Sequence, residues 1–265
     1  ACWWFKGPVG GGGGGGCGLR PRGERFAARA RALFGAVEEF GVQARNMDRK
    51  LVGTLRLGMA GHTPFSENSR ISNAIARFRK RDAAVRIVIS VCSPGSMEEQ
   101  LMSGEFDIGI GYFWHRNTSL HFTSLFLERQ MAYCGQTHPL FARADSVSFQ
   151  EAWENEWAWR SYPVPGGMVS TPPRNITAIA DNMEAIAMLV LSGHHLAFLP
   201  QHFALNFQKQ GLMAPLPAKH LSYEAVFSVA TRQRKQIGEI TKAFLEDLAA
   251  VNLATVHLAA GTRTD

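Results

Sequence analysis

The chain has 265 residues, 46% hydrophobic and 19% charged, which is the composition of a globular protein with one or two domains. No stretch approaches the roughly 20 consecutive apolar residues that a membrane helix needs. The N-terminus also lacks the basic and apolar regions of a secretory signal, so we expect a cytoplasmic protein without a membrane partner.

The net charge of +6 is concentrated at the N-terminal end. Residues 1–51 carry nine Lys/Arg and four Asp/Glu, whereas residues 52–265 carry nineteen and eighteen. Such asymmetry is typical of an end that faces nucleic acid, although a short arginine-rich helix can also be basic by chance. The seven glycines Gly10–Gly16 cannot build a core, so we expect residues 1–18 to be disordered.

A heptad pattern follows in residues 23–51. Apolar residues recur with alternating steps of four and three, which is the a/d seam of a coiled coil. Such a seam favours pairing with the same helix of a second chain, and packing of the helix on its own domain is the alternative. The predicted dimerisation residues are Phe26, Ala30, Leu33, Val37, Phe40, Ala44, Met47 and Leu51.

The next stretch alternates strands and helices. An alternating strand over 54–59 leads through a polar loop into a helix with Ile71, Ile75 and Phe78 on one face. A second strand (85–91), a short helix that ends at Gly104 and a third strand (106–111) complete a β-α-β-α-β unit. This order predicts a parallel sheet, with ligands at the carboxyl ends of its strands.

The second half repeats the alternation and indicates a second α/β lobe. Asp181 and Glu184 have the spacing of a capping box at the start of a helix. The predicted strands are 120–127, 130–135, 157–160, 175–180, 196–200 and 225–230, and the predicted helices are 148–153, 183–191, 203–210 and 237–251.

Several segments in this order resemble the effector-binding domain of LysR-type transcriptional regulators. They are GTLRLGMAG, VRIVISV, MSGEFDIGIG, QMAYCGQTHPLF and DNMEAIAMLVLSGHHLAFLPQHF, within residues 19–251. The resemblance implies an α/β fold of two Rossmann-like lobes with a cleft, like type 2 periplasmic binding proteins, preceded by a long linker helix. Residues 19–51 would be a wing remnant and that linker helix, 52–127 with 231–251 lobe I, 128–230 lobe II, and 252–265 a flexible tail.

The resemblance also implies a small-molecule effector between the lobes, a DNA partner for the intact regulator, and a homodimer or homotetramer. The chemistry suits a small anion or carboxylate, held by hydroxyls, helix N-terminal amides and an arginine. The predicted effector-binding residues are His62, Thr63, Ser66, Ser93, Ser96, Arg160, Ser161 and Tyr162. The segment before residue 19 shows no recognition-helix pattern, so we expect a chain truncated at its DNA-binding domain. A stand-alone solute-binding protein of the same fold is the alternative.

Enzyme motifs are missing from the sequence. It contains no GxSxG nucleophile elbow and no Walker A loop, and Gly109-x-Gly111 lacks the third glycine of a dinucleotide site. His194, His195 and His202 could suggest a metal, but adjacent histidines point in opposite directions on a strand. We therefore expect a protein that is not an enzyme and needs no cofactor.

Overall fold

A computed structural model describes residues 26, 29–30, 33–37, 51–61, 70–81, 83–164, 172–233 and 237–261. The chain divides into two compact units, residues 1–54 with 82–85, and residues 55–81 with 86–265. Residues 26, 29–30 and 33–37 of the first unit are helical, and Phe26, Leu33 and Val37 are exposed. The sequence predicted that Leu51 belongs to this helix, but Leu51 is the first residue of a β-strand. Phe40, Ala44 and Met47 lie outside the described residues.

Most strands belong to one mixed sheet with the order β2-β1-β3-β9-β4-β7, in which β8 also pairs with β4. β5 and β6 form a separate parallel pair. The strands are β1 (Leu51–Met59), β2 (Ala83–Val91), β3 (Ile108–Tyr112), β4 (Leu120–Gly135), β5 (Trp157–Arg160), β6 (Ile176–Ala180), β7 (Ala197–Pro200), β8 (Met213–Leu216) and β9 (Ser222–Arg232). The helices are α1 (Ile71–Phe78), α2 (Pro94–Ser103), α3 (Phe149–Trp153), α4 (Met183–Leu191), α5 (Gln201–Lys209) and α6 (Glu239–Gly261), with a 3-10 helix at Phe141–Ser146.

The β-α-β-α-β unit has the predicted parallel pairing between β1 and β3, where Leu57 lies opposite Ile108. Leu55, Leu57 and Met59 of β1 are buried, which confirms the period-two pattern of this strand. β3 is followed on its other side by β9, which runs antiparallel. The sheet is therefore mixed rather than purely parallel.

β4 is one continuous strand of sixteen residues, whereas the sequence predicted two strands separated near Glu128. Its polar residues Glu128 and Gln130 are buried and hydrogen-bonded to each other, so they do not interrupt the strand. β9 pairs with β4 along nearly its whole length, with one irregularity between Ser124 and Phe126. β9 begins three residues before the predicted start, and the short strand β8 was missed.

The start of α4 differs by one residue from the predicted capping box. Asn182, rather than Asp181, is the N-cap, because its side-chain oxygen accepts a hydrogen bond from the Ala185 amide at 2.8 Å. The Asp181 carboxylate instead accepts a hydrogen bond from the side-chain amide of Asn182 at 2.9 Å. Gly193 follows the C-cap of this helix in the left-handed conformation, with a φ of +77°.

α6 packs against α1. The rings of Phe78 and Phe244 meet edge to face with centroids 5.6 Å apart, and both are buried. The buried Asp247 of α6 forms ion pairs with Arg77 at 2.8 Å and Arg81 at 2.7 Å. α6 extends to Gly261, so it includes the first ten residues of the segment that the sequence predicted as a flexible tail from residue 252.

Candidate functional site

The carboxyl ends of β1, β2, β5 and β6 meet at a cavity of about 210 Å³. We call this space the outer cavity. Its walls come from the residues that follow these four strand ends. They are Ala60, Gly61, Val91, Cys92, Ser93, Tyr162, Asp181, Asn182 and Met183.

The N-terminus of α2 forms one side of the outer cavity. Ser93 is the N-cap, but its side chain makes no capping hydrogen bond to the helix. Its hydroxyl lies 3.4 Å from that of Ser96, and the Ser96 hydroxyl donates to the Ser93 carbonyl oxygen at 3.1 Å. The amides of a helix N-terminus carry partial positive charge, so this end suits a negatively charged group. Burial raises the pKa of the neighbouring Cys92 thiol, which favours the neutral form.

The N-terminus of α4 forms the opposite side. Here the Asn182 cap already occupies the amide of Ala185, and Asp181 is hydrogen-bonded to Asn182. The carboxylate of Glu184 lies close to Gly61, since a Cβ atom placed on that glycine would be 3.1 Å from a Glu184 oxygen. The absence of a side chain at residue 61 therefore leaves room for α4 beside the end of β1.

A much smaller space of about 10 Å³ shares Ala60 and Tyr162 with the outer cavity, and we call it the inner chamber. Its volume is close to that needed for one water-sized group. The walls combine polar side chains from β4 and β5 with apolar residues of β9. They are Ala60, Tyr112, Glu128, Gln130, Arg160, Tyr162, Ala225 and Phe227.

Arg160, the last residue of β5, is buried beside the inner chamber. Its Nη2 atom donates to the side-chain oxygen of Gln130 and to the carbonyl oxygen of Phe198, each at 3.2 Å. The guanidinium also lies over the ring of Tyr162, 5.4 Å from its centroid. Burial disfavours the charge, but the nearby Tyr223, Tyr162 and Glu128 outweigh this and hold the pKa of Arg160 above its ordinary value.

The structure brings together four of the eight predicted effector residues. Ser93 lines the outer cavity with Ser96 beside it, Tyr162 lines both spaces, and Arg160 lines the inner chamber. Ser161 is exposed and belongs to neither wall. His62, Thr63 and Ser66 lie outside the described residues.

Sequence reasoning missed the wall residues from the start of α4 and from β4. Asn182 carried a usable signal, because asparagine is among the preferred N-cap residues. Glu128 and Gln130 carried none, since polar residues within a strand read equally well as a solvated face or a break. Tyr112 ends β3 and also lay beyond the predicted strand.

Within the described ranges, no group of His, Cys, Asp and Glu side chains could hold a metal ion. In particular, His195 lies 3.9 Å from Glu156, whereas His202 lies 3.8 Å from Glu128 on a different element. No helix among these residues is long and apolar enough to cross a membrane.

Residues 48–252 match the family model described as LysR substrate binding domain. The chain is 25% identical over 236 residues to the HTH-type transcriptional activator BauR of Pseudomonas aeruginosa, which covers 88% of this chain and 77% of BauR. This relative is a transcriptional activator, which is the class of protein that the resemblance implied.

Two solved structures have a similar fold. One is full-length CbnR in complex with its target DNA, with a TM-score of 0.65 and 15% identity over 88% of this chain and 81% of CbnR. The other is the effector-binding domain of QuiR in complex with shikimate, with a TM-score of 0.62 and 16% identity over 76% of this chain and 98% of that domain. At these identities the likeness concerns the fold, a mixed α/β effector-binding domain.

Proposed function

Because the chain belongs to the LysR substrate-binding domain family of transcriptional regulators, we propose that its outer cavity binds a small carboxylate effector. The two proposed lobes are residues 52–127 with 231–251 and residues 128–230. Effector binding would change the arrangement of these lobes and thereby the activity of the regulator. Family membership favours this regulator over the alternative of a stand-alone solute-binding protein.

The uncapped N-terminus of α2 is the observation that carries the proposal. Ser93 leaves the Gly95 amide of α2 without a side-chain acceptor, whereas Pro94 has no N–H, the Ser96 N–H donates to the Ser93 carbonyl oxygen at 3.3 Å, and Asn182 already caps α4. A carboxylate oxygen would accept hydrogen bonds from the Gly95 amide and the Ser93 hydroxyl. The Ser96 hydroxyl would join them by turning away from the Ser93 carbonyl oxygen, to which it donates in the free protein. Arg160 would add positive potential from behind Tyr162. His62, Thr63 and Ser66 stay predicted contacts from the loop after β1.

The size of the outer cavity supports a small ligand. About 210 Å³ lies below the 300–1,000 Å³ that is usual for drug-sized ligands, so a molecule of few atoms fits best. Shikimate, which is bound in the QuiR structure, is such a small carboxylate.

The test is calorimetric titration of the purified chain with shikimate, benzoate and the straight-chain acids of three to six carbons, each paired with its uncharged amide. We expect at least one acid to bind and its amide to bind at least about tenfold more weakly, because the amide lacks the charge that the helix terminus favours. Ser93→Ala should lower the affinity for that acid, whereas Ser148→Ala at the N-cap of α3 should leave the affinity unchanged. Equal binding of acids and amides, or no binding by any acid, would contradict the proposal.

We also propose that two copies of this chain form a dimer. The exposed apolar residues Phe26, Leu33 and Val37 would pair with the same helix of a second chain. DNA is proposed as a partner of the intact regulator only, by analogy with CbnR, which was solved on its target DNA.

A further inference from the structure

A cavity of about 710 Å³ lies between α6 and the neighbouring ends of β4 and β9, and we call it the α6 cavity. It shares no described wall residue with the outer cavity or the inner chamber, so it is a separate space. All its described walls belong to one compact unit, residues 55–81 with 86–265. Its volume falls within the roughly 300–1,000 Å³ that is usual for small-molecule sites.

The pairing of two strands builds one side of the α6 cavity. His121 of β4 lies opposite Thr231 of β9, and Thr123 lies opposite Val229. Cross-strand partners project to the same face of a sheet, and all four of these residues line the cavity. The strand ends therefore form a continuous wall that faces α6.

α6 builds the other side with a face that it does not use against α1. Phe244 contacts Phe78 of α1, and Asp247 is bound by the arginines at the end of that helix. Leu245, Ala249 and Asn252, spaced by four and three residues, instead line the cavity. Contacts with α1 thus hold α6 in place, while its neighbouring face borders an open space.

The surface of the α6 cavity is mainly apolar. Its charged wall residues Lys242 and Glu246 are exposed, whereas Val229 and Leu248 are buried. An apolar ligand would displace water from this surface, which favours binding. The apolar wall residues are Leu125, Val229, Ile237, Leu245, Leu248 and Ala249.

Thr231 is the polar exception in the buried part of the wall. It is only 3% exposed, and its hydroxyl makes no hydrogen bond with any other residue that the structure describes. By contrast, the side chains of His121 and Thr123 on the facing strand lie 3.4 Å from each other. An unpaired buried hydroxyl destabilises the folded state, and one ligand oxygen could pair with it as donor or acceptor.

The charges around the α6 cavity already have partners. Lys242 is paired with Glu239 at 2.7 Å, and Glu246 with Arg81 at 3.3 Å. None of the buried wall residues within the described ranges is charged. An ionised group beside Thr231 would therefore lose its hydration without gaining a counter-charge, whereas an uncharged oxygen avoids that loss.

We propose that the α6 cavity is a second ligand site, which takes an uncharged apolar molecule with one oxygen, such as a phenol or an alcohol. The apolar body lies against α6 and β9, and the oxygen pairs with the Thr231 hydroxyl. This ligand differs in class from the small carboxylate of the outer cavity. Because the two sites share no described wall residue, either can bind its ligand without the other.

The test is calorimetric titration of the whole chain with 4-propylphenol, propylbenzene and 4-propylbenzoate. The first carries an apolar body and one hydroxyl, the second lacks the hydroxyl, and the third has a charge in its place. We expect 4-propylphenol to bind at least about tenfold more tightly than propylbenzene, because a buried group that pairs with a hydroxyl rejects the analogue that lacks it.

Thr231→Val removes the hydroxyl while keeping the shape of the side chain. It should bring the affinity for 4-propylphenol to within about twofold of that for propylbenzene and leave the affinity for propylbenzene unchanged. Thr241→Val is the matched control, because Thr241 is also a buried threonine but is not among the residues that line the cavity. This control should keep the preference for the phenol.

Ala249→Trp locates the bound molecule, since a large ring on this face of α6 fills the cavity. It should abolish binding of 4-propylphenol, whereas Leu205→Trp at an exposed position of α5 should leave that binding intact. Because 4-propylbenzoate in the outer cavity would still bind to Ala249→Trp, this variant also tells the two sites apart.

Four results would overturn the second site. They are failure of 4-propylphenol to bind, binding that persists in Ala249→Trp, equal affinities for 4-propylphenol and propylbenzene in the wild type, and a preference for the phenol that survives Thr231→Val. Tighter binding of 4-propylbenzoate that Ala249→Trp abolishes would overturn the uncharged class of ligand.

Discussion

The indole ring of Trp114 stacks on the phenol ring of Tyr162, with 5.6 Å between the centroids and 10° between the planes. Trp114 follows β3 of the main sheet, whereas Tyr162 follows β5 of the smaller sheet. Since Tyr162 lines both the outer cavity and the inner chamber, this stack fixes a wall that the two spaces share.

The first prediction concerns this stack. Trp114→Ala should weaken binding of a small carboxylate by roughly 3- to 10-fold, since an aromatic pair contributes about 0.5–1.5 kcal/mol and its loss frees Tyr162 to move. Phe149→Ala is the matched control, because Phe149 stacks on Trp153 at 4.7 Å and is 36% exposed, against 37% for Trp114. Calorimetric titration of both variants should show a loss for Trp114→Ala only. An affinity of Trp114→Ala equal to that of the wild type would mean that other contacts hold Tyr162 in place.

The second prediction separates capping from ligand contact at Asn182. Asn182→Ala should lower the free energy of unfolding by about 1 kcal/mol through loss of the cap. It should also lower the affinity for a carboxylate, because Asn182 lines the outer cavity. Ser148→Ala removes the hydrogen bond to the Glu151 amide at the start of α3, away from both spaces. Urea unfolding should show a comparable loss of stability in the two variants, with reduced affinity in the Asn182 variant alone. Reduced affinity in both would show that the effect comes from general destabilisation.

The third prediction concerns the buried carboxylate of Asp247. Burial raises its pKa, but hydrogen bonds from Arg81 and Arg77 outweigh this, so its pKa lies below the ordinary 3.8. A lowered pKa stabilises the fold above the unfolded-state pKa, and this stabilisation disappears as the pH falls through the folded-state pKa. Asp247→Asn should lower the free energy of unfolding by about 2 kcal/mol at pH 7. This is less than the loss on breaking a fully buried ion pair, because Arg77 is largely exposed.

The measurement is urea unfolding of the wild type and Asp247→Asn between pH 7 and pH 3. The difference between them should stay constant down to about pH 5 and shrink below the ordinary pKa of 3.8. Glu246→Gln is the control, since Glu246 is 70% exposed and contacts Arg81 at 3.3 Å. It should change stability by less than about 0.5 kcal/mol. A difference that does not depend on pH would argue that the asparagine acts through packing.

The fourth prediction concerns self-association through the heptad seam. Leu33→Glu combined with Val37→Glu should convert a dimer to a monomer, because it places like charges where the seam needs apolar side chains. Phe34→Glu is the matched control, as Phe34 is 70% exposed but lies outside the seam. Light scattering after gel filtration should report a halved mass for the double variant and an unchanged mass for the control. A monomeric wild type would contradict the dimer.

The alternation of strands and helices was predictable because it rests on local patterns. The apolar period of β1, the glycines at positions 104, 193 and 211, and the N-cap at Ser148 each report on a few neighbouring residues. The order of these elements carried the resemblance to the LysR family, which the match over residues 48–252 confirms. For the same reason, Ser93 and Tyr162 could be placed at strand ends without any structure.

Tertiary structure decided what each polar residue does. The sequence suggested a break at Glu128, but hydrogen bonding to Gln130 lets one strand run from Leu120 to Gly135. Gln130 and Tyr223 are 93 positions apart, so their pairing depends on the register of β4 against β9. Local periodicity determines where elements form, but long-range pairing determines which side chains share a buried space. The sequence could therefore identify a cleft of strand ends, whereas the inner chamber beside Arg160 emerged from the fold alone.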